Sequence, residues 1–257
     1  PNYRVVRVDP TKPAPENWTE VIAEQKELLS GVSLAGGYLF ASYLRDVKPV
    51  IIQFDRYGKP VRQIGLPNNG VGGTVAGFNG EKDDKTVYFS FTTFLTPADI
   101  YSYDIESGKI ELYKKAEVKF NSSDYTIKQV FYTSQDGTKV PMFIVHKKGI
   151  KLDGSHPTLL YGYGGFNIPI QPSFSISRVA LLEQGFIYAV ANIRGGSEYG
   201  EEWHKAAMFE KKQNVFDDFI AAAEYLIDQK YTSNTKLAIQ GRSNGGLLVG
   251  ACMTQRP

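Results

Sequence analysis

No stretch of this 257-residue chain restricts its fold as much as Lys236 to Met253, which reads Lys-Leu-Ala-Ile-Gln-Gly-Arg-Ser-Asn-Gly-Gly-Leu-Leu-Val-Gly-Ala-Cys-Met. An apolar strand-like run, Leu237 to Ile239, enters a Gly-x-Ser-x-Gly at Gly241, Ser243 and Gly245, and a small-residue, Leu-rich helical run leaves it. Three fixed positions in five arise often by chance, but the strand before and the helix after are the context that a nucleophile elbow requires. The turn forces its central residue into a strained backbone and brings neighbouring chain close, so the flanking positions must be small. Ser243 then stands at a helix N-terminus, where free backbone N–H groups and the helix dipole favour developing negative charge. The N–H of Asn244 becomes one half of an oxyanion hole.

An elbow needs a mostly parallel sheet with helices around it, and the second half of the chain supplies the pattern. Tyr125 to Thr133 and Lys139 to Lys147 are strand-like and joined by a turn containing Asp136-Gly137, a hairpin signal. Beyond them strands and helices alternate: Thr158 to Tyr163, a helical run near Ser177 to Gln184, Phe186 to Ile193, and an amphipathic helix from about Asn214 to Gln229. Such alternation predicts an α/β domain.

The first part has a different grammar. To about Phe120 short β-rich runs alternate with Gly, Asp and Asn turns, and no helical period is visible. Strands are predicted at Tyr38 to Leu44, Val50 to Phe54, Thr86 to Thr92 and Ile100 to Tyr103. Ile51-Ile52-Gln53-Phe54-Asp55, with a turn ending Gly58-Lys59, is echoed 49 residues later by Ile100-Tyr101-Ser102-Tyr103-Asp104 and a turn ending Gly108-Lys109. Propeller blades of four strands repeat on this scale. Two copies do not close a ring, so either a propeller is only partly present or the echo is accidental. The expected organisation is a partial β-propeller over residues 1–120 and the first part of an α/β-hydrolase domain over 121–257.

Composition excludes several function classes. With 29 Lys and Arg against 27 Asp and Glu, and no basic run longer than a pair, nothing points to nucleic acid. No apolar run is long enough to cross a bilayer, and the first residues, Pro-Asn-Tyr-Arg-Val-Val-Arg-Val, lack signal-peptide architecture. They also lack an initiating Met and so say little about targeting. The lone Cys252 lies in the apolar helix after the elbow and reads as a small buried hydrophobe.

Two glycine-rich segments should share the elbow's sheet edge. Tyr161-Gly162-Tyr163-Gly164-Gly165-Phe166-Asn167 closes a strand in the position from which α/β hydrolases take a second oxyanion donor. A loop N–H or a tyrosine hydroxyl could supply it, since a phenol is protonated at neutral pH; strand aromatics beside a tight turn are the plainer reading. Arg194-Gly195-Gly196-Ser197-Glu198-Tyr199-Gly200 ends the next strand, and it lacks both the Gly-Lys-Ser/Thr ending of a Walker loop and the Gly-x-Gly-x-x-Gly spacing.

Together with Asn192-Ile193-Arg194, Lys212-Gln-Asn-Val-Phe-Asp-Asp-Phe219, Ser243-Asn-Gly-Gly-Leu-Leu248 and the run from Pro141 to Ile150, these segments resemble the prolyl oligopeptidase family. The resemblance covers most of the chain. It implies a serine peptidase in which a seven-bladed propeller covers an α/β-hydrolase domain, cleaving short peptides after proline without a cofactor or metal. Carried over, Ser243 is the nucleophile, the Asn244 N–H and the Tyr163 hydroxyl are oxyanion donors, and Phe166 lines the region that receives substrate. Tyr163, rather than Tyr161, is expected to face Ser243. Arg242 and Ser197 depart from the pattern, which favours glycine at both places.

A serine hydroxyl needs a base, and in this fold the order along the chain is Ser, then Asp or Glu, then His. The fourteen residues after Ser243 contain none of these, and His146, His156 and His204 all precede it. The simplest expectation is a segment of a longer protein that begins within the propeller and stops inside the catalytic domain, whose remainder is then a required partner. A non-catalytic binding protein on the same fold is the rival. An oligopeptidase B-like peptidase or a peptide macrocyclase are alternatives within the enzymes. The resemblance implies a cytoplasmic location, with the periplasm as the alternative.

Overall fold

The computed structural model describes residues 2–257. The short strands β1 (Val5–Arg7) and β2 (Thr19–Ile22) form an antiparallel ribbon. Two four-stranded antiparallel sheets follow. In the first, β3 (Leu28–Ala35), β4 (Tyr38–Arg45), β5 (Lys48–Asp55) and β6 (Pro60–Gln63) pair in chain order. The second repeats that meander with β7 (Gly73–Gly77), β8 (Thr86–Thr93), β9 (Asp99–Asp104) and β10 (Ile110–Lys114). This is the connectivity of propeller blades.

The 49-residue echo falls at equivalent places in the two blades. Tyr38 pairs with Asp55 at the end of one central hairpin, and Thr86 pairs with Asp104 at the end of the other. Each aspartate then nucleates the next turn through its own carboxylate, Asp55 accepting from the N–H groups of Tyr57 and Lys59, and Asp104 from the N–H and hydroxyl of Ser107. Between the blades lies an aromatic stack: Phe78 sits 5.3 Å from Phe40 and 4.6 Å from Phe89, with Tyr103 edge-on to both Phe40 and Phe78. One polar pair is buried in this junction, where the Tyr103 hydroxyl donates to Gln53 Oε1 at 2.5 Å and Gln53 Nε2 donates to the Ile105 carbonyl.

The second half builds a five-stranded mixed sheet from β11 (Tyr125–Thr133), β12 (Lys139–Lys147), β13 (Thr158–Tyr161), β14 (Ile187–Ala191) and β15 (Leu237–Gln240), in the order β11-β12-β14-β13-β15. The first two pairings are antiparallel and the last two parallel. Between these strands run α1 (Ile176–Glu183), α2 (Glu201–Lys205), α3 (Gln213–Asp228) and, after β15, α4 (Asn244–Gln255). Alternation along β12 divides its side chains between two cores. Val140, Met142 and Ile144 pack with Val215, Phe219 and Leu226 of α3 and Leu248 and Cys252 of α4. Phe143 and Val145 face the other way, toward Leu182 of α1 and Tyr188.

That second core also receives the tip of the first blade. Asp46 and Val47 form the β4–β5 turn with φ of 50° and 61°, and Val47 is buried among Phe94, Leu95, Tyr125 and Phe143. The Asp46 carbonyl accepts from Gln129 Nε2 at 2.6 Å, and its carboxylate accepts from the Tyr199 hydroxyl at 2.9 Å. A β-branched residue at positive φ is costly, and burial of Val47 in the neighbouring core offsets that cost.

The fold class expected from the sequence holds: blades of a propeller, then the beginning of an α/β-hydrolase sheet. Two differences from the expected elements matter for the site. The strand predicted to reach Tyr163 stops at Tyr161, and the short helix α2 lies where no helix is legible in the sequence.

Candidate active site

Strand β15 runs parallel to β13 and delivers the chain to Gly241, Arg242 and Ser243 before α4 begins at Asn244. Ser243 has φ 56° and ψ −117°, a combination that L-residues seldom adopt. The glycines on either side explain how it is held. A Cβ on Gly241 would stand 2.1 Å from the Gly245 carbonyl oxygen, and one on Gly245 would stand 2.8 Å from the carbonyl oxygen of Gly162. Ser243 is exposed at the start of a twelve-residue helix, and the Asn244 N–H belongs to the first turn, whose N–H groups have no intrahelical partner. Among the described residues, neither the Ser243 hydroxyl nor the Arg242 guanidinium has a hydrogen-bond or ion-pair partner.

The Asn244 side chain bolts the elbow to the glycine-rich end of β13. Its Nδ2 donates to the Tyr163 carbonyl at 2.6 Å, and its Oδ1 accepts from Lys212 Nζ at 3.4 Å. Lys212 in turn donates to the Gly164 carbonyl at 2.9 Å, and burial lowers its pKa. Gly164 and Gly165 are required here: a Cβ on either would come within 2.5 Å of Val215 or Asn244 respectively. Tyr163 therefore lies just past the strand, half-buried, on a loop whose backbone is fixed to the elbow. Its hydroxyl has no partner among the described residues. Phe166, at φ 55°, is 71% exposed. With His204, Met208, Phe209, Lys212 and Asn244 it borders an open groove.

The second glycine-rich segment ends β14 beside the first. Arg194 is buried and its guanidinium is spent on carboxylates: Nη2 lies 2.6 Å from Asp218 and Nη1 2.5 Å from Asp136. Asp218, fully buried on α3, also accepts from the Arg194 N–H and from the Ser134 hydroxyl. The two carboxylates raise the Arg194 pKa despite desolvation, and the guanidinium hydrogen bond holds Asp136 at about 2. This network ties the β11–β12 turn, the end of β14 and α3 together, and it leaves the Arg194 guanidinium no face free for a phosphate. Glu198 follows on the same loop, completely buried, and desolvation pushes its carboxyl up to about 7.

His204 is committed elsewhere: its Nδ1 donates to the Gly195 carbonyl at 2.7 Å, which also accepts from the Asn167 N–H at 3.1 Å. Among the described residues His146 and His156 hydrogen-bond only to backbone carbonyls, of Lys147 and Lys151, and His146 also lies against the Tyr231 ring. Cys252 is buried and its thiol is pushed up to about 11 by burial. The described residues contain no group of three or more His, Cys, Asp or Glu able to hold a metal, and no helix long and apolar enough to cross a membrane.

Blades followed by a hydrolase sheet with a strained serine at its elbow define the architecture of a propeller-bearing α/β hydrolase. Comparison with known proteins is more specific. The family described as "Prolyl oligopeptidase, N-terminal beta-propeller domain" matches residues 1–116, and the one described as "Prolyl oligopeptidase family" matches residues 172–257. The prolyl endopeptidase of Elizabethkingia miricola is 54% identical over the whole chain, which covers 36% of that protein. A dual-function macrocyclase-peptidase of Amanita bisporigera is 40% identical, again with all of this chain and 36% of the relative covered. Among solved structures, one from a study of two prolyl endopeptidases superposes with a TM-score of 0.93 at 52% identity, covering 100% of this chain and 38% of the other. Prolyl oligopeptidase B of Galerina marginata, bound to a 35-mer hydrolysis and macrocyclization substrate, gives 0.90 at 38% identity, covering 100% and 36%. The chain belongs to the prolyl oligopeptidase family, and it spans about a third of the length of the relatives it matches.

Proposed function

We propose that this chain carries the nucleophile and oxyanion-hole part of a serine endopeptidase that cleaves short peptides on the carboxyl side of proline through an acyl-enzyme. The observation that carries the reading is the elbow itself: Ser243 at φ 56° on the end of β15, with Asn244 anchoring the Tyr163 loop beside it. In this reading Ser243 Oγ attacks the carbonyl carbon of the proline residue, the following residue leaves as the amine, and the negative charge that develops on the carbonyl oxygen is met by the Asn244 N–H and the Tyr163 hydroxyl. Donors fixed before the reaction stabilise that charge without reorganising. Phe166, exposed on the rim, lines the substrate side. The base and its orienting carboxylate come from the rest of the protein, and the division between propeller and hydrolase falls at residues 120 and 121. Proline-containing peptides are the partners, and the cytoplasm is the compartment that the family resemblance favours.

A second outcome for the acyl-enzyme is capture by a peptide amine in place of water, which closes a ring. The 40% identical macrocyclase-peptidase makes it worth testing. The experiment is to incubate the full-length protein with a proline-containing chromogenic peptide, with a longer linear peptide, and with a fluorophosphonate probe. Ser243→Ala is expected to abolish turnover and labelling. Tyr163→Phe is expected to lower kcat by about 10²-fold to 10³-fold, the usual loss for one oxyanion donor. Unchanged turnover in Tyr163→Phe would assign that donor elsewhere, and mass analysis of the products separates hydrolysis from cyclisation. Residues 1–257 expressed alone are expected to hydrolyse no peptide at a useful rate, because Ser243 without its base keeps an alcohol's reluctance to ionise.

A further inference from the structure

The loop that bears Phe166 is clamped by two buried side chains that the reaction above does not use. Glu198 Oε1 accepts from the Ile170 N–H at 2.9 Å and from Asn192 Nδ2 at 3.3 Å, while Asn192 Nδ2 also donates to the Ile170 carbonyl at 2.6 Å. Together they grip the peptide groups on both sides of Ile170, four residues after Phe166. The other carboxyl oxygen, Oε2, is buried with no partner among the described residues, as are Asn192 Oδ1 and Asn167 Oδ1. A Cβ built on Gly196 would stand 2.2 Å from Glu198 Oε2 and 2.7 Å from the Ile168 carbonyl oxygen. The clamp is thus rich in acceptors and short of donors. A proton on Oε2 supplies a donor there, whereas a charge keeps the Ile170 and Asn192 donors on Oε1 but has no cation beside it and leaves Oε2 to draw water into the clamp.

We propose that Glu198 acts as an uncharged carboxylic acid that positions the Phe166 loop for substrate, and that its ionisation loosens the loop and weakens peptide binding. This rests on the peptidase reading above. Burial that raises the carboxyl to about 7 agrees with the geometry, and no charged neighbour contributes to that rise. The charged and titratable groups on the packed segments are otherwise engaged: Arg194 with Asp218 and Asp136, the Tyr199 hydroxyl with Asp46, and His204 with the Gly195 carbonyl. Residues 168–170 contribute none.

The test uses the full-length protein as wild type, Glu198→Gln and Glu198→Ala, with kcat and KM measured on a proline-containing chromogenic peptide from about pH 5.5 to about pH 9. Gln keeps the size and the Oε1 acceptor and places a permanent donor where Oε2 stands. Wild type is expected to show KM rising about tenfold across neutral pH, the size of one weakened binding contact. Glu198→Gln is expected to keep a low KM throughout, and Glu198→Ala a high one throughout. A wild-type-like rise of KM in Glu198→Gln, or a KM in Glu198→Gln as high as in Glu198→Ala, overturns the proposal. Melting curves give a readout free of activity. The folded acid holds its proton to higher pH than the unfolded one, so wild-type stability falls as pH climbs from the ordinary Glu range through about 7. Glu198→Gln should remove that slope, and a slope identical to wild type overturns the proposal. Should Ser243→Ala retain turnover, the peptidase reading fails while the melting result still stands or falls alone.

Discussion

The junction between the blades and the edge of the hydrolase sheet are both densely buried, yet they are held by different means. Phe40, Phe78, Phe89 and Tyr103 stack between the blades, and one Tyr–Gln pair is the polar exception. At the sheet edge Arg194, Asp218 and Glu198 are buried together within a few residues of Ser243's neighbours, and Phe166, Asn167, Phe209 and Ser243 all hold positive φ. Apolar area stabilises without directing, so it suits a place where two like sheets need only stay together, and of these four aromatics Phe78 alone holds positive φ, at 64°. Strained backbone persists only where its surroundings over-determine it. The polar pins at the edge provide that determination: each holds a loop at one atom and in one direction.

The largest expected effect lies at the edge. Asp218→Ala leaves the Arg194 guanidinium buried with half its compensation and strips an acceptor from Ser134, which should cost about 3–5 kcal/mol. Urea unfolding of full-length protein checks it, and a loss below about 1 kcal/mol would show that the network is not what holds β14 to α3. A smaller loss is expected from Tyr103→Phe in the blade junction, about 1–3 kcal/mol, because Gln53 Oε1 is left buried without a donor. If Tyr103→Phe proves as costly as Asp218→Ala, the contrast between the two regions breaks. The smallest effect concerns acid. Asp55 accepts turn N–H groups and Asp104 accepts the Ser107 hydroxyl and N–H, which lowers both pKa values, so their stabilisation is present above the ordinary aspartate range and is lost as pH falls through their folded values. Replacing both with Asn should flatten the acid limb of a melting profile slightly and leave neutral pH almost unchanged.

What the sequence made legible follows the same division. Strands Tyr125–Thr133 and Lys139–Lys147 form over the residues expected, because an Asp-Gly turn between two β-rich runs fixes register locally. The elbow was legible because its requirement for small neighbours is written within five residues. The spacing of Asp55 and Asp104 exposed the blades for a similar reason: each aspartate serves a turn beside it. The pins were not legible. Arg194 meets Asp218 and Asp136 across 24 and 58 residues, and the Tyr199 hydroxyl finds Asp46 across 153. Nothing in the wording of Asn-Ile-Arg or Phe-Asp-Asp-Phe says which carboxylate an arginine will choose. Glu198 reads as a surface loop residue until the fold closes over it. Helix α2 is too short for periodicity to show.

The Asp46–Val47 turn has a mechanical consequence. Blade and hydrolase sheet touch there through a side chain seated in the other half's core and through two hydrogen bonds, one from β11 and one from the loop that carries Glu198. A swing of the blades that opened this corner would withdraw Val47 from its aromatic socket and free the Tyr199 hydroxyl in the same movement. The corner therefore joins the blade to the loop of the Glu198 clamp mechanically: a pull that draws Val47 from its socket is felt at Tyr199, the residue next to Glu198.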